Sequence, residues 1–200
     1  MKDRLKTFFI LLIFFSFNFV EPIFSNEIEF EAKNIESINE NLIKASDNII
    51  ISDSQGNKIY GDKLIIEDKK VYTISGNVIF ENIDDSIKLI TKKIIFNVYD
   101  NTIRSFGNTK IIKNKSYFVN TSNILYNIKN KNISSSEKTL VEDLQSNKIE
   151  VKNFNISLIE NLFKANNAYI IDRNLNQYEL EKIFYDFKNN RILGKDLILN

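Results

Sequence analysis

The stretch from Gly61 to Lys113, GDKLIIEDKKVYTISGNVIFENIDDSIKLITKKIIFNVYDNTIRSFGNTKIIK, contains one sequence unit almost twice. Each copy has a short apolar run, a polar turn, a second apolar run and a small residue that interrupts the pattern. The small residue is Gly76 in the first copy and Gly107 in the second. Short apolar runs bounded by turn-forming residues are typical of β-strands. The stretch therefore predicts a repeated two-strand module.

The repeat continues along the chain in both directions. Corresponding residues are spaced by 29, 31, 30, 28 and 29 positions, at Asp47, Gly76, Gly107, Glu137, Ala165 and Gly194. The turns keep the same period, at Lys69, Asp100, Asn130 and Asn189. Repeats of about 30 residues are typical of stacked architectures in which each unit contacts mainly its neighbours.

Local patterns agree with an all-β fold made of two sheets. Ile28, Phe30 and Ala32 alternate with charged residues, as in a half-buried strand. The apolar positions change parity between Ile59 and Leu64, which predicts a β-bulge near Gly61. Helical spacing competes with strand at 157–166, where we favour strand because the period continues through it.

The amino terminus predicts export. Lys2, Arg4 and Lys6 precede the apolar run 8–20, whose 13 residues are fewer than the roughly 20 that a spanning helix needs. We therefore predict a signal peptide at residues 1–25 and an exported domain at 26–200, with an uncleaved anchor as the alternative. Because 194–200 begins a further unit, we expect this end either to pair with a partner or to continue into a longer protein.

Composition argues against several functions. The formal net charge is +1 with both signs interspersed, which does not favour nucleic-acid binding. The chain has no histidine and no cysteine, so it lacks the residues most used in catalysis and metal binding. The acidic pairs at 84–85 and 142–143 are interpreted as loop charges, and the Asp-x-Asn-x-Asn run at 172–176 as a turn and not a calcium site. We predict no enzyme, no cofactor and no metal.

The apolar side chains on one side of the strands allow two interpretations. The first is a packed β core, and the second is an open groove between two sheets that accepts acyl chains. For the groove interpretation, the predicted lining residues are Leu64, Ile66, Val78, Phe80, Phe96, Ile111 and Tyr126. The edge strand formed by Ile28, Phe30 and Ala32 is the predicted contact with a partner strand.

Three segments resemble the OstA-like periplasmic domains of the lipopolysaccharide-transport (Lpt) family. Residues 43–49, IKASDNI, are similar to the family pattern I-x-A-x-G-N-V, and residues 59–66, IYGDKLII, to I-x-A-D-x-L-x-Y. Residues 74–80, ISGNVIF, are similar to its G-N-V strand. Gly61 stands where the family more often has alanine, and Asp47 and Glu137 replace a glycine.

The resemblance implies a twisted OstA-like β-jelly roll, open at both ends, whose interior carries the acyl chains of lipopolysaccharide. It further implies a periplasmic or outer-membrane location and head-to-tail pairing with other Lpt domains through edge strands. Within the family, the amino-terminal domain of LptD, followed by a membrane barrel, is the preferred assignment, and a free-standing LptA-like bridge is the alternative. A structural β-solenoid also remains open. A secreted glycan enzyme is less favoured, because it needs inward carboxylates on neighbouring coils, whereas Asp62, Asp100 and Asp186 lie in or beside different turns.

Overall fold

The computed structural model describes residues 28–189 and 191–198, and every regular element in them is a β-strand. The predicted signal peptide lies outside these residues. The strands are β1 (Ile28–Glu31), β2 (Asn34–Asn39), β3 (Leu42–Asp53), β4 (Asn57–Glu67), β5 (Val71–Asn82), β6 (Ile87–Asn97), β7 (Thr102–Ser105), β8 (Asn108–Lys113), β9 (Tyr117–Ser122), β10 (Leu125–Asn127), β11 (Asn132–Ser135), β12 (Thr139–Asp143), β13 (Lys148–Val151), β14 (Asn153–Ser157), β15 (Leu162–Ile171), β16 (Gln177–Asp186) and β17 (Arg191–Ile198). The all-β prediction is confirmed.

The strands form an antiparallel meander in which each long strand pairs with the next one along the chain. β3, β4, β5 and β6 pair in this order over most of their length. β6 then pairs with β8 through its first half and with β7 through its second half. The later strands divide in the same way, so that β9 and β10, β11 and β12, and β13 and β14 are halves of single long strands.

The divided strands give two facing layers. The first layer contains β1, β8, β9, β12 and β13, and the second contains β2, β7, β10, β11 and β14, while the undivided long strands contribute one half to each. We name the line of mid-strand bends the crease; it passes through 47–48, 61–62, 76–77, 91–92, 106–107, 123–124, 136–138, 152 and 167. We name the two rows of turns at the strand ends the mouth. Its first-layer turns are at 53–57, 82–87, 113–117, 143–148 and 171–177, and its second-layer turns at 39–42, 67–71, 97–102, 127–132, 157–162 and 186–189.

Gly61 lies at a shift in strand register, as predicted. Tyr60 pairs with Ile79, but Lys63 pairs with Ser75, so the spacing along β4 and β5 differs by one residue across the crease. A Cβ atom at Gly61 would collide with the Ile74 side chain. Glycine therefore allows the two strands to approach closely at this bend.

The repeat markers coincide with crease bends in the first half of the chain. Asp47, Gly76 and Gly107 have φ angles of 64°, 76° and 77°, a conformation that turns the backbone and favours glycine or short polar residues. The prediction is wrong at Ala165, which pairs in β15 with Ile183 as an ordinary strand residue. The left-handed residue of that strand is Asn167, with φ of 52°. Asparagine adopts this conformation readily, and a search for glycine or alanine misses it.

Alternate residues of each strand enter a continuous apolar core. On β5, Tyr72, Ile74, Val78 and Phe80 point inward and are buried. The layers meet where the ring of Phe80, in the first layer, lies 5.5 Å from the ring of Tyr126, in the second. Full burial of a large apolar side chain contributes about 1.5–3 kcal/mol, so these inward rows are the main stabilising feature of the two layers.

Buried hydroxyl groups follow the middle of the crease. Thr109 Oγ1 lies 2.6 Å from Ser105 Oγ and 3.2 Å from Thr91 Oγ1. On the next strands, Thr121 Oγ1 lies 2.8 Å from Thr139 Oγ1, and Ser105 Oγ accepts a 3.0 Å hydrogen bond from the Ile124 amide. Backbone groups that lose ladder partners at a bend need such substitutes, because an unpaired buried polar group is costly.

Three first-layer turns share one hydrogen-bonded sequence, Asp-x-x-x-Asn, beginning at Asp53, Asp143 and Asp172. In each turn, one carboxylate oxygen accepts hydrogen bonds from the backbone amides two and four residues ahead. The other oxygen accepts a hydrogen bond of 2.7–2.9 Å from the asparagine side chain. The hydrogen bond from Asn176 holds the pKa of Asp172 below its ordinary value. The prediction that 172–176 is a strand-connecting turn is confirmed.

The preference for strand over helix at 157–166 is confirmed only in part, since β14 ends at Ser157, residues 158–161 form a turn, and β15 begins at Leu162. The sequence pattern does not predict β2, because its two isoleucines, Ile35 and Ile38, do not alternate in phase and both are exposed. Among the described residues there is no helix that is long and apolar enough to cross a bilayer.

Candidate functional site: the interior and the mouth

All seven predicted lining residues lie in the apolar core between the two layers. Their relative exposure is 5% or less, at Leu64, Ile66, Val78, Phe80, Phe96, Ile111 and Tyr126. The alternating burial of β5 places Phe80 inward and Ile79 on the other face. The structure therefore brings these residues together in one interior, and their contact with an acyl chain stays a prediction.

The interior is closely packed. Aromatic rings fill much of it at the carboxyl end, where Phe154 and Phe163 stack with centroids 5.7 Å apart. Beside them an apolar cavity of about 20 Å³ lies between Val141, Ile149 and Tyr185. A space of this size holds about one water molecule. An acyl chain therefore needs the two layers to move apart.

The predicted edge contact falls on β1. This strand pairs with β3 in a register that places Phe30 opposite Ile51, and within the described residues its other side has no strand partner. Ile28, Phe30 and Ala32 are half-buried against the core, and Ala32 follows the last residue of the strand. β17 is the corresponding edge at the carboxyl end, where it pairs with β16.

An ion pair crosses the mouth. Lys131, in the turn between β10 and β11, places Nζ 2.9 Å from Oδ1 of Asp85, in the turn between β5 and β6. These turns belong to different layers. Lys113, which is 3% exposed, donates to the backbone oxygen of Asp85 at 2.6 Å. Burial lowers the pKa of Lys113, with the Asp85 charge opposing this shift and Lys131 adding to it.

Aromatic residues join the layers farther along the mouth. The Tyr185 hydroxyl donates to the Tyr117 hydroxyl at 2.9 Å, and the ring of Tyr117 lies 4.9 Å from that of Phe187. Burial raises the pKa of Tyr185, and the hydrogen bond with Tyr117 raises it further. Burial also raises the pKa of Tyr126, with a smaller contribution from the charge of Asp85. Because the pKa values of both tyrosines are raised, the folded protein favours their neutral phenol forms.

The sequence predicts that both acids at 84–85 are loop charges. Asp84 is exposed, in agreement with that interpretation, but the Asp85 side chain is only 12% exposed and pairs with a residue 46 positions away. Nothing in the local sequence identifies such a partner. Lys113 could have been found, because the alternation Thr109, Ile111, Lys113 places its side chain on the inward face of β8.

The three aspartates of the glycan-enzyme alternative have local partners. At the crease, the Asp62 carboxylate accepts a hydrogen bond from the Asn77 side chain. In turns of the second layer, Asp100 accepts a hydrogen bond from the Asn97 side chain, and Asp186 accepts one from the Asn189 side chain. The described residues contain no group of three or more His, Cys, Asp or Glu side chains that could hold a metal ion.

No protein-family model and no curated protein matches this chain. Among solved structures, a match is found with LptH from Pseudomonas aeruginosa, the LptA-homologous periplasmic component of the lipopolysaccharide transport device. The match covers 88% of this chain and 96% of the LptH chain, with 11% sequence identity and a TM-score of 0.24. These values are too low to support a functional argument, so a function has to be derived from the residues of this chain.

Proposed function

We propose that this chain binds the acyl chains of lipopolysaccharide between its two layers and takes part in carrying the lipid through the periplasm. The observation that carries the proposal is an interior lined from both layers by large apolar side chains, while the layers are joined covalently at the crease and meet through side chains at the mouth. Separation at the mouth exposes a continuous apolar groove. Burial of an acyl chain there contributes about 25 cal/mol per Å² of apolar surface.

A photo-crosslinking experiment tests the direction of the groove. A crosslinking amino acid at position 80, on the inward face of β5, should capture lipopolysaccharide. The matched variant carries the same amino acid at position 79, on the opposite face of the same strand, and should not. Equal capture at both positions would contradict the proposal.

The close packing of the interior favours a second candidate, a structural β-solenoid with a solid core. The cavity of about 20 Å³ is the observation that supports it. An apolar fluorescent dye distinguishes the two candidates, because a solid core leaves no apolar site for the dye. Saturable dye fluorescence that lipopolysaccharide displaces supports the transport proposal, and its absence supports the solenoid.

The unpaired side of β1 supports the proposal that another Lpt domain docks by strand addition. If the Phe30 amide faces the open side of β1, proline at this position removes a donor that a docking strand needs and should abolish capture of an LptA-like bridge protein in a pull-down. The matched control is Leu193→Pro in β17, at the opposite edge, which should leave this contact intact. Undiminished capture by folded Phe30→Pro would place the contact elsewhere.

Within this function, we propose the periplasmic domain of an LptD-like assembly protein at the outer membrane, with a free-standing LptA-like bridge as the alternative. The three motif segments at 43–49, 59–66 and 74–80 support the family resemblance on which both assignments depend. Sequencing the gene beyond codon 200 distinguishes them. An open reading frame encoding a membrane barrel supports the LptD-like assignment, and a stop codon supports the bridge.

A further inference from the structure

Several turns of the mouth carry an exposed apolar residue at the tip, where polar residues are usual. The relative exposure is between 63% and 79% at Ile83, Tyr99, Leu144, Ile159 and Leu175. Leu144 and Leu175 lie on neighbouring first-layer turns, because β13, which follows the first turn, pairs with β15, which precedes the second. The centres of the two turns are therefore two strand spacings apart, or about 10 Å.

Leu175 occupies a backbone conformation that leucine rarely adopts. The three Asp-x-x-x-Asn turns each have a left-handed residue at the fourth position, with φ of 76° at Gly56, 68° at Ser146 and 66° at Leu175. Glycine adopts this conformation readily, whereas a bulky side chain is strained in it. Leu175 is 78% exposed, so packing against the described residues does not compensate the strain. Strain without an internal reason points to a contact outside the chain.

The turn that carries Leu175 has its backbone donors bonded within the protein. All five amides of 172–176 donate hydrogen bonds. Two donate to the Asp172 carboxylate, two to backbone oxygens of the same turn, and that of Arg173 to Asn147 Oδ1 on the neighbouring turn at 3.0 Å. A backbone segment can leave water at low cost only when its polar groups have protein partners. The amides of this tip meet that condition.

The charges of the two turns leave one cation facing outward. Asp143 and Asp172 are half-buried and accept hydrogen bonds from the amides and asparagine side chains of their own turns. Lys148 pairs with Glu142 at 3.4 Å, whereas Arg173 is exposed and has no ion-pair partner among the described residues. A guanidinium group binds phosphate through two parallel hydrogen bonds, so a phosphate-bearing partner fits this position.

The size of the apolar surface selects the kind of partner. A stable protein–protein interface buries about 800 Å² on each side. Two leucine tips about 10 Å apart on polar turns do not form a continuous patch of that kind. A lipid bilayer needs no continuous patch, because each apolar tip can enter between head groups separately. The lipid phosphates then surround the inserted turn, where Arg173 can bind them.

We propose that the turns at 143–148 and 171–177 dock on a phospholipid bilayer, with Leu144 and Leu175 entering its apolar part and Arg173 binding lipid phosphate. The contact lies on the outside of the molecule and does not depend on acyl-chain binding between the layers. It directs the carboxyl-terminal part of the mouth toward a membrane surface.

Tryptophan fluorescence tests this contact, because the chain has no tryptophan of its own. The readout has to be local, since the apolar run 8–20 can bind lipid by itself. In Leu144→Trp, vesicles of phosphatidylcholine and phosphatidylglycerol should shift the emission to shorter wavelength, and lipids brominated on their acyl chains should quench it. The matched control is Ser136→Trp, at an exposed crease position before β12, which should show neither effect.

Second substitutions in the Leu144→Trp protein separate the contributions. Leu175→Gly should weaken vesicle binding about tenfold, because a leucine that enters the bilayer is removed. Leu193→Ser removes an exposed leucine from β17, away from these turns, and should leave binding unchanged. Arg173→Gln should weaken binding to the anionic vesicles at low salt and have a smaller effect at high salt.

Stability distinguishes lost binding from lost folding. Leu175→Gly should raise the temperature midpoint of thermal unfolding, because it relieves the left-handed strain and restores the residue found at Gly56 in the equivalent turn. Weaker binding by a more stable protein therefore supports the membrane contact.

Three outcomes overturn the proposal. The first is equal quenching at positions 144 and 136, and the second is no response of position 144 to vesicles. The third is an emission shift without lipid that grows with protein concentration, which indicates a second copy of the chain as the partner. The crosslinking test at position 80 decides the acyl-chain proposal independently of these results.

Discussion

At the crease the backbone itself passes from one layer to the other and buried hydroxyls replace the missing ladder bonds, whereas at the mouth the layers meet through side chains. Thr109 represents the first kind of contact, with three oxygen atoms within 3.2 Å of its hydroxyl. Asp85 and Lys131 represent the second, with one ion pair between two turns. If the layers separate, as the proposed function requires, this difference predicts that they part at the mouth and stay joined at the crease.

The largest expected effect is at the crease. Thr109→Val keeps the shape of the side chain but removes the hydroxyl that Ser105 and Thr91 contact, so we expect a loss of about 2 kcal/mol in the free energy of unfolding. Urea denaturation measures this. The control is Thr73→Val on the half-buried outer face of β5, which should change stability by less than about 0.5 kcal/mol. Equal effects would remove the special role of the crease hydroxyls.

Two crease glycines separate backbone strain from steric collision. Gly76 and Gly107 have φ angles of 76° and 77°, so alanine at either should cost about 1 kcal/mol in stability. A Cβ atom at Gly76 would also collide with the Asp62 side chain, whereas at Gly107 nothing lies within 4 Å. Gly76→Ala should therefore be the more destabilising of the two by about 1 kcal/mol in urea denaturation. The reverse order would contradict the crease geometry.

At the mouth we expect a smaller effect that depends on salt. Lys131→Met removes the ion pair with Asp85 and should cost about 1 kcal/mol at low ionic strength, and less in 1 M salt. Lys138→Met provides the comparison, because its partner Glu150 is more exposed and such surface pairs contribute about 0–1 kcal/mol. Thermal unfolding at two salt concentrations measures both variants. Identical behaviour of the two would indicate that the mouth pair is an ordinary surface contact.

The smallest expected effect is the alkaline response of the mouth tyrosines. The pKa values of Tyr126 and Tyr185 are raised in the folded state, so their stabilising contribution is complete below pH 10 and is lost as pH rises above it. The temperature midpoint of thermal unfolding should decrease as the pH is raised from 9 to 11. In Tyr185→Phe the fall should be smaller. A fall of the same size in this variant would show that Tyr185 remains accessible to ionisation in the folded protein.

The fold could be predicted from sequence because each part of the repeat carries its own local signal. Glycine and asparagine mark the bends, Asp-x-x-x-Asn marks turns, and the change of parity between Ile59 and Leu64 marks the register shift at Gly61. The same local rules predict that the Lys113 side chain points inward, because buried and exposed residues alternate along β8.

Contacts between the layers could not be predicted in the same way. Asp85 and Lys131 are 46 positions apart, and Tyr117 and Tyr185 are 68 apart. Neither separation is a multiple of the repeat length of about 30 residues, so the period does not predict which turns meet. The sequence correctly predicts that the seven lining residues face one interior. Alternation alone, however, cannot distinguish a solid core from a groove that opens.

The meander has a consequence for how such a chain can change in length. Each long strand obtains its backbone hydrogen bonds from its immediate neighbours in sequence, so removal or duplication of two consecutive strands leaves every remaining pairing locally intact. A deletion from one crease glycine to the next, such as 77–107, joins equivalent bends and should preserve an antiparallel order. Gene duplication or loss in steps of about 30 residues could therefore lengthen or shorten the molecule while its cross-section stays the same.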